Sequence, residues 1–69
     1  MKLYELLLLI SLDAKISIKD WTGEEHEILF DGKIEDLDIF LDIEKYKNYK
    51  VICLDSYNSK IIIDVIEVN

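Results

Sequence analysis

The apolar residues of this chain change their periodicity after residue 13, and that change constrains the fold more than any other feature. Before it, apolar side chains recur at the spacing of one helical face, at Leu3, Leu6, Leu7 and Ile10. Leu8 and Leu9 widen this stripe, which predicts a helix covered on more than one side. After it, apolar and polar residues alternate from Ala14 onward, as in a half-buried strand. The pattern therefore predicts an α+β fold.

The elements expected from this pattern follow one another without an internal linker. We predict a helix, a hairpin, a short helix and a second hairpin, over residues 2–10, 14–20 with 26–30, 34–43, and 50–55 with 60–68. Turns are indicated by three segments: Thr22-Gly23-Glu24, Asp31-Gly32 and Ser56–Ser59. Short connections favour antiparallel neighbours, so residues 1–69 should form one domain with a four-stranded antiparallel sheet. His26, Ile28 and Phe30 should share one face of their strand.

Charge and composition exclude several classes of function. The 69 residues carry 15 acidic side chains against eight lysines and no arginine, for a net charge of −7. Direct nucleic-acid binding needs a positive surface, so it is disfavoured. The single cysteine excludes an intrachain disulfide and a multi-cysteine zinc site. The apolar content, about half of the residues, favours a packed fold, although a core this small makes self-association as a homodimer a secondary expectation.

The lengths of the apolar runs bear on whether the protein associates with a membrane. A bilayer-spanning helix needs roughly 20 apolar residues, and no run here approaches that length. The run Leu6–Ile10 is short, is flanked by charges and lacks a small-residue cleavage pattern. We therefore expect no membrane association and a cytoplasmic location.

Few residues of this chain are suited to catalysis or metal binding. His26 ends an apolar strand face and is expected to be a rim histidine rather than a general base. Cys53 is flanked by apolar residues and is expected to be a small core residue. The spacing Asp36-x-Asp38-x-x-x-Asp42 lacks the glycine and the terminal glutamate of a calcium-binding loop. We predict no enzyme activity, no catalytic residue, no cofactor and no dedicated metal site.

Clustered carboxylates are the most informative feature of the sequence. On the predicted second helix, Glu35, Asp38 and Asp42 share a face, with Asp36 and Glu44 beside it. A second cluster, formed by Glu24, Glu25 and Glu27, could extend the negative surface. Such carboxylates can imitate a phosphate backbone and occupy a basic groove on a partner. The alternative is a solvated face that keeps a small apolar protein soluble.

Two aromatic segments leave their roles open. Trp21, beside the turn glycine, is either a cap on a small core or an exposed anchor for a partner. The segment Lys45–Lys50 alternates cations with tyrosines and asparagine, a mixture that can bind single strands by stacking. The commoner arrangement is lysine stems packed over tyrosine rings, which we expect here.

Three segments resemble small acidic proteins, mostly uncharacterised, that are encoded by prophages and mobile elements of Gram-positive bacteria. The segments are Met1–Leu7, Lys15–Asp20 and Ile28–Leu37. The resemblance is one of pattern, covers most of the chain and includes no catalytic signature. It implies a genomic setting rich in accessory and anti-defence proteins, among them inhibitors of CRISPR effectors, some of which imitate DNA.

Two functional hypotheses follow. The first is a non-enzymatic interaction protein that inhibits a bacterial nucleic-acid-binding machine of the CRISPR-defence kind through its acidic surface, with Trp21 and the two carboxylate clusters as the partner-binding residues. The second is a structural or regulatory accessory domain that acts by self-association or by adding a strand to a partner. The long apolar final strand, Ile61 to Val68, supports the second hypothesis, because an edge strand of that kind invites pairing.

Overall fold

The computed structural model describes residues 1–37 and 46–68. In this part of the chain, a short helix precedes four strands: α1 Leu3–Leu7, β1 Lys15–Asp20, β2 Glu27–Lys33, β3 Tyr49–Tyr57 and β4 Lys60–Glu67. A single turn of 3-10 helix, Ile34–Asp36, follows β2. The predicted α+β class and the four-stranded sheet are confirmed.

The sheet is mixed, which corrects the prediction of an antiparallel sheet built from two hairpins. Its strand order is β2-β1-β4-β3. The outer strands are antiparallel to their neighbours, but the two central strands, β1 and β4, are parallel. The chain leaves β2 at the end of the sheet where β1 begins, and it enters β3 at the opposite end. As a result β3 runs in the same direction as β2, and β4, which is antiparallel to β3, runs in the same direction as β1.

The first and last strands of the sequence pair because both carry rows of β-branched residues. Ile16 and Ile18 of β1 lie beside Ile61 and Ile63 of β4, and three of these four side chains are fully buried. Burying two such rows against each other removes more apolar surface from water than leaving either at an edge. The final strand is therefore central, and the prediction that it is an edge strand is wrong. The edge strands are β2 and β3.

A register shift within the β1–β2 pair overturns part of the predicted face pattern. Ile18 lies opposite Phe30, whereas the next residue, Lys19, lies opposite Ile28. The extra residue between Ile28 and Phe30 places them on opposite faces, as a β-bulge does. Phe30 packs against the core, while Ile28 is 59% exposed. The predicted common face for these residues is wrong.

The Asp31-Gly32 dipeptide lies inside β2 and is not the turn that was predicted. Gly32 lies opposite Ile16 with φ of 154°, a backbone angle that favours glycine. The glycine thus lets β2 continue to Lys33 instead of ending the strand.

The core lies between α1 and one face of the central strands. Its buried apolar residues are Leu3, Leu6, Leu7, Ile16, Ile18, Ile34, Leu37, Tyr46, Ile63 and Val65. The helix ends at Leu7, earlier than predicted, and Leu8 and Leu9 are exposed. The expectation that they widen the buried stripe is wrong. The Leu8 nitrogen still donates to the Tyr4 carbonyl oxygen at 3.2 Å, but the short helix buries only the face of Leu3, Leu6 and Leu7.

Two further expectations are corrected at β2 and β3. The helix predicted over 34–43 is replaced at its start by the 3-10 turn, after which Leu37 has extended backbone angles; residues 38–43 lie outside the described part of the chain. Cys53, predicted to be a core residue, is exposed because β3 is an edge strand.

Candidate interaction surface

Carboxylates gather at the end of the sheet where β1 and β4 end and β2 begins. Asp20 is the last residue of β1 and lies opposite Glu27, the first residue of β2. Glu67 is the last residue of β4. The connection from β1 to β2 adds two more carboxylates, both exposed. We call this set the acidic end; its members are Asp20, Glu24, Glu25, Glu27 and Glu67.

The connection that carries the acidic end is fastened to β4 at its first residues. The backbone nitrogen of Trp21 donates to the carbonyl oxygen of Val65 at 2.8 Å. The Thr22 hydroxyl donates to Asp20 Oδ1 and accepts a hydrogen bond from the Glu67 backbone nitrogen at 2.7 Å. These bonds join β1, the connection and β4, so Glu24 and Glu25 follow an anchored segment.

Trp21 lies beside the acidic end with its ring partly exposed. Its Nε1 donates to Asp64 Oδ1 at 2.9 Å, and its ring centroid is 4.7 Å from that of His26. Trp21 is 43% exposed and lies outside the buried core cluster. Of its two predicted roles, the core cap is therefore excluded, and a partly exposed aromatic surface remains. His26 is itself exposed at the rim of the sheet.

The connection from β1 to β2 brings no positive charge to the acidic end. No lysine occurs between Lys19 and Lys33 in the sequence. Within residues 1–37 and 46–68, the observed ion pairs join Lys33 to Glu35 and Lys60 to Asp31, and neither involves the acidic end. Its potential extends to Tyr49, whose pKa is raised above its usual value of 10.0 by burial first and then by the charges of Asp20 and Glu67.

Glu35 and Asp36 lie at the opposite end of β2, in the exposed 3-10 turn. Six residue steps of strand separate Glu27 from Lys33, which corresponds to about 20 Å. Glu35 Oε1 is 3.9 Å from Lys33 Nζ, so part of its charge is compensated by a half-exposed lysine. Asp38, Asp42 and Glu44, the remaining predicted partner-binding residues, lie outside the described residues.

The structure therefore separates the two carboxylate clusters that the sequence suggested could form one surface. It brings Glu24, Glu25 and Glu27 together with Trp21, and it adds Asp20 and Glu67, which sequence reasoning missed. The missed residues terminate or border strands whose pairing is parallel and distant in sequence. Only the register of β1 against β4 reveals that they are neighbours.

Other kinds of site find no support in the described part of the chain. No group of three histidine, cysteine, aspartate or glutamate side chains there is arranged to hold a metal ion. Nor does any helix within it have the length and apolar character needed to cross a membrane. No protein-family model, curated protein or solved structure matches this chain.

Proposed function

We propose that this chain is a non-enzymatic interaction protein whose acidic end binds a basic surface on a nucleic-acid-binding protein. Binding there would place carboxylates where phosphates otherwise lie and so inhibit the partner by occlusion. The observation that supports the proposal is the exposure of Glu24, Glu25 and Glu27, free of ion pairs within the described residues, on a connection anchored beside Trp21.

Three physical arguments favour binding through this end. An anchored loop loses less conformational entropy on binding than a free one. Uncompensated negative charge accelerates the encounter with a basic partner. A partly exposed tryptophan supplies the kind of side chain that often dominates interface energies. The resemblance to mobile-element proteins suggests a bacterial defence effector as the partner.

The test compares two double variants with the same net charge. E24Q/E25Q removes two charges from the acidic end, and E35Q/D36N removes two charges from the opposite end of β2. Each variant and the wild type is used as immobilised bait in nuclease-treated bacterial lysate, at several salt concentrations, and captured proteins are identified by mass spectrometry. Each captured protein is then purified and assayed for nucleic-acid binding with and without this chain.

The expected result is capture of a nucleic-acid-binding protein by the wild type and by E35Q/D36N, with strong loss in E24Q/E25Q. Binding should weaken as salt rises, because exposed charges are screened beyond about 8 Å at physiological ionic strength. The wild-type chain should displace nucleic acid from the captured protein, and E24Q/E25Q should not. Equal binding by the two variants, or a partner that retains its nucleic acid, would contradict the proposal.

A second candidate function is self-association or strand addition through β3. This strand has nine residues, has β4 as its neighbour on one side, and carries exposed apolar side chains that include Ile52, Leu54 and Tyr57, the last 72% exposed. Among the described residues, only Met1 and Lys2 pair with its other side, near Lys50 and Val51. An open edge of this type can accept another strand.

Light scattering at several salt concentrations tests this second function. A dimer that persists in high salt and dissociates in I52K would support pairing through β3, with I28K, on the opposite edge strand, as the control. A monomer at every salt concentration would exclude self-association, although not strand addition to a different protein. That remaining case would require a captured partner whose binding is lost in I52K but retained in E24Q/E25Q.

A further inference from the structure

A groove of about 490 Å³ lies where the start of the chain meets the beginning of β3, next to the end of β4. Its volume is within the range of pockets that hold small molecules. Three lysines and one glutamate are among its lining residues: Lys2, Lys47, Lys50 and Glu5. Among the lining residues lysines outnumber carboxylates, in contrast to the net charge of −7 of the whole chain.

The backbone holds two of these lysines directly opposite each other. Lys2 and Lys50 form an antiparallel bridge, and the Val51 nitrogen donates to the Met1 carbonyl oxygen at 2.8 Å beside it. Like charges opposite each other on paired strands are destabilising. Neither lysine forms an ion pair within residues 1–37 and 46–68, although Lys2 Nζ lies 5.9 Å from the centroid of the Tyr4 ring. An anion between the two ammonium groups would convert their repulsion into attraction.

We propose that this groove binds a multiply charged oxyanion, a small molecule that carries phosphate or several carboxylate groups. Lys2 and Lys50 would hold the anion from two sides, since an ammonium group acts as a point charge that accepts any of its oxygens. Asn48, which also lines the groove, offers a neutral amide to the same ligand. The groove lies beside Glu67 of the acidic end, because Tyr49 pairs with Glu67, but no member of the acidic end lines it. The proposal does not rest on the function proposed above.

The test is a titration of the ¹⁵N-labelled full chain with pyrophosphate and, separately, with citrate, at constant ionic strength maintained with sodium chloride. The variant K2Q/K50Q removes the opposed charges, and K15Q/K19Q removes two charges from β1, outside the groove. Thermal unfolding is measured for each protein with and without the anions, because unfolding also reports whether the variants fold.

The expected result is a saturable shift of the amide signals of Lys2 and of residues 48–50, with one or both anions. The dissociation constant should rise by about tenfold or more in K2Q/K50Q and by less than about twofold in K15Q/K19Q. Stronger binding of pyrophosphate identifies a phosphate ligand, and stronger binding of citrate a polycarboxylate. Without anion, K2Q/K50Q should unfold at a higher temperature than the wild type, since the repulsion is gone.

Two results would overturn the proposal. One is the absence of a saturable shift with both anions. The other is equal binding by the two double variants, which would indicate general attraction to surface lysines. If K2Q/K50Q does not fold, the single variants K2Q and K50Q replace it, and each should weaken binding more than K15Q.

Discussion

A cluster of carboxylates lies near each end of β2 in the sequence, but the two clusters differ in their electrostatics. At its first residue, Glu27 joins Asp20, Glu67 and the connection from β1 in a group free of ion pairs within the described residues. Beyond its last residue, Glu35 lies 3.9 Å from the Lys33 ammonium, and Lys15 lies opposite Lys33. Strand pairing therefore concentrates negative charge at one end and mixes both signs at the other.

This difference teaches that the number of acidic residues in a segment does not predict the strength of a negative surface. The sequence shows five acidic residues over 35–44 and only three over 24–27. Tertiary structure gives the smaller cluster two further carboxylates, from β1 and β4, and an anchoring network.

Both ends depend on the central strand β1, so the largest effect is expected from a cavity within it. Ile18→Ala should lower the free energy of unfolding by about 3 kcal/mol, because this fully buried side chain lies between Phe30 and Ile63. Ile28→Ala, at an exposed position of β2, should lower it by less than about 0.5 kcal/mol. Urea unfolding followed by circular dichroism measures both. Similar losses in the two variants would contradict the assignment of the core face.

The anchoring of the acidic end predicts a smaller, local effect. Thr22→Val keeps the size of the side chain but removes the hydroxyl that accepts from the Glu67 nitrogen and donates to Asp20. We expect a loss of about 1 kcal/mol. Amide hydrogen exchange should become faster at Glu67 and remain unchanged at Glu35, whose nitrogen donates to the Leu12 carbonyl oxygen at 2.8 Å. Thr22→Ser is the control and should retain the protection of Glu67.

The opposite end of the sheet contains a turn that can be improved without touching the acidic end. Asn58 and Ser59 connect β3 to β4, and both have positive φ, at 52° and 62°. Two-residue turns of this kind favour glycine at the second position. Ser59→Gly should therefore raise the free energy of unfolding by about 0.5 kcal/mol. The control Ser56→Gly, within β3, should lower it; a gain in both variants would contradict the turn assignment.

The negative charge of the acidic end should affect the stability of the protein at alkaline pH, through the phenol of Tyr49. The pKa of Tyr49 is raised in the folded state, above 10.0, by burial and by the charges of Asp20 and Glu67. Below pH 10 the phenol is protonated in both states, so its contribution to stability is fully present. As pH rises through the folded-state pKa, the unfolded chain loses the proton first and stability falls. Tyr49→Phe should reduce this alkaline loss and leave the pH dependence below 9 unchanged. Urea midpoints measured from pH 8 to pH 11 test it, and an unchanged alkaline slope would contradict it.

Much of the local structure was predictable from the sequence because it depends on neighbouring residues. The helical spacing of Leu3, Leu6 and Leu7 and the alternation around Ile16 and Ile18 identified a helix and a strand close to their observed positions. The β-branched runs identified the last two strands. The charge clusters were visible for the same reason, since a cluster within one short segment needs no knowledge of the fold.

The errors share one physical origin, which is contact between residues that are distant in the sequence. The bulge that separates Ile28 from Phe30 is a property of the β1–β2 register. The exposure of Cys53 follows from the position of β3 at the edge, and the burial of the final strand follows from its pairing with β1. Strand alternation assigns side chains to two faces, but it does not say which strands become neighbours.

Periodicity and composition are local properties, so the amino-acid sequence alone is enough to predict the α+β class, the approximate places of helix and strands and the large negative charge. Three features emerge only when the chain folds: the parallel pairing of β1 with β4, the position of Glu27 beside Asp20, and that of Lys2 opposite Lys50. Strands become neighbours when their pairing removes the most apolar surface from water. The apolar area that is buried depends on the whole chain and cannot be calculated from any one segment.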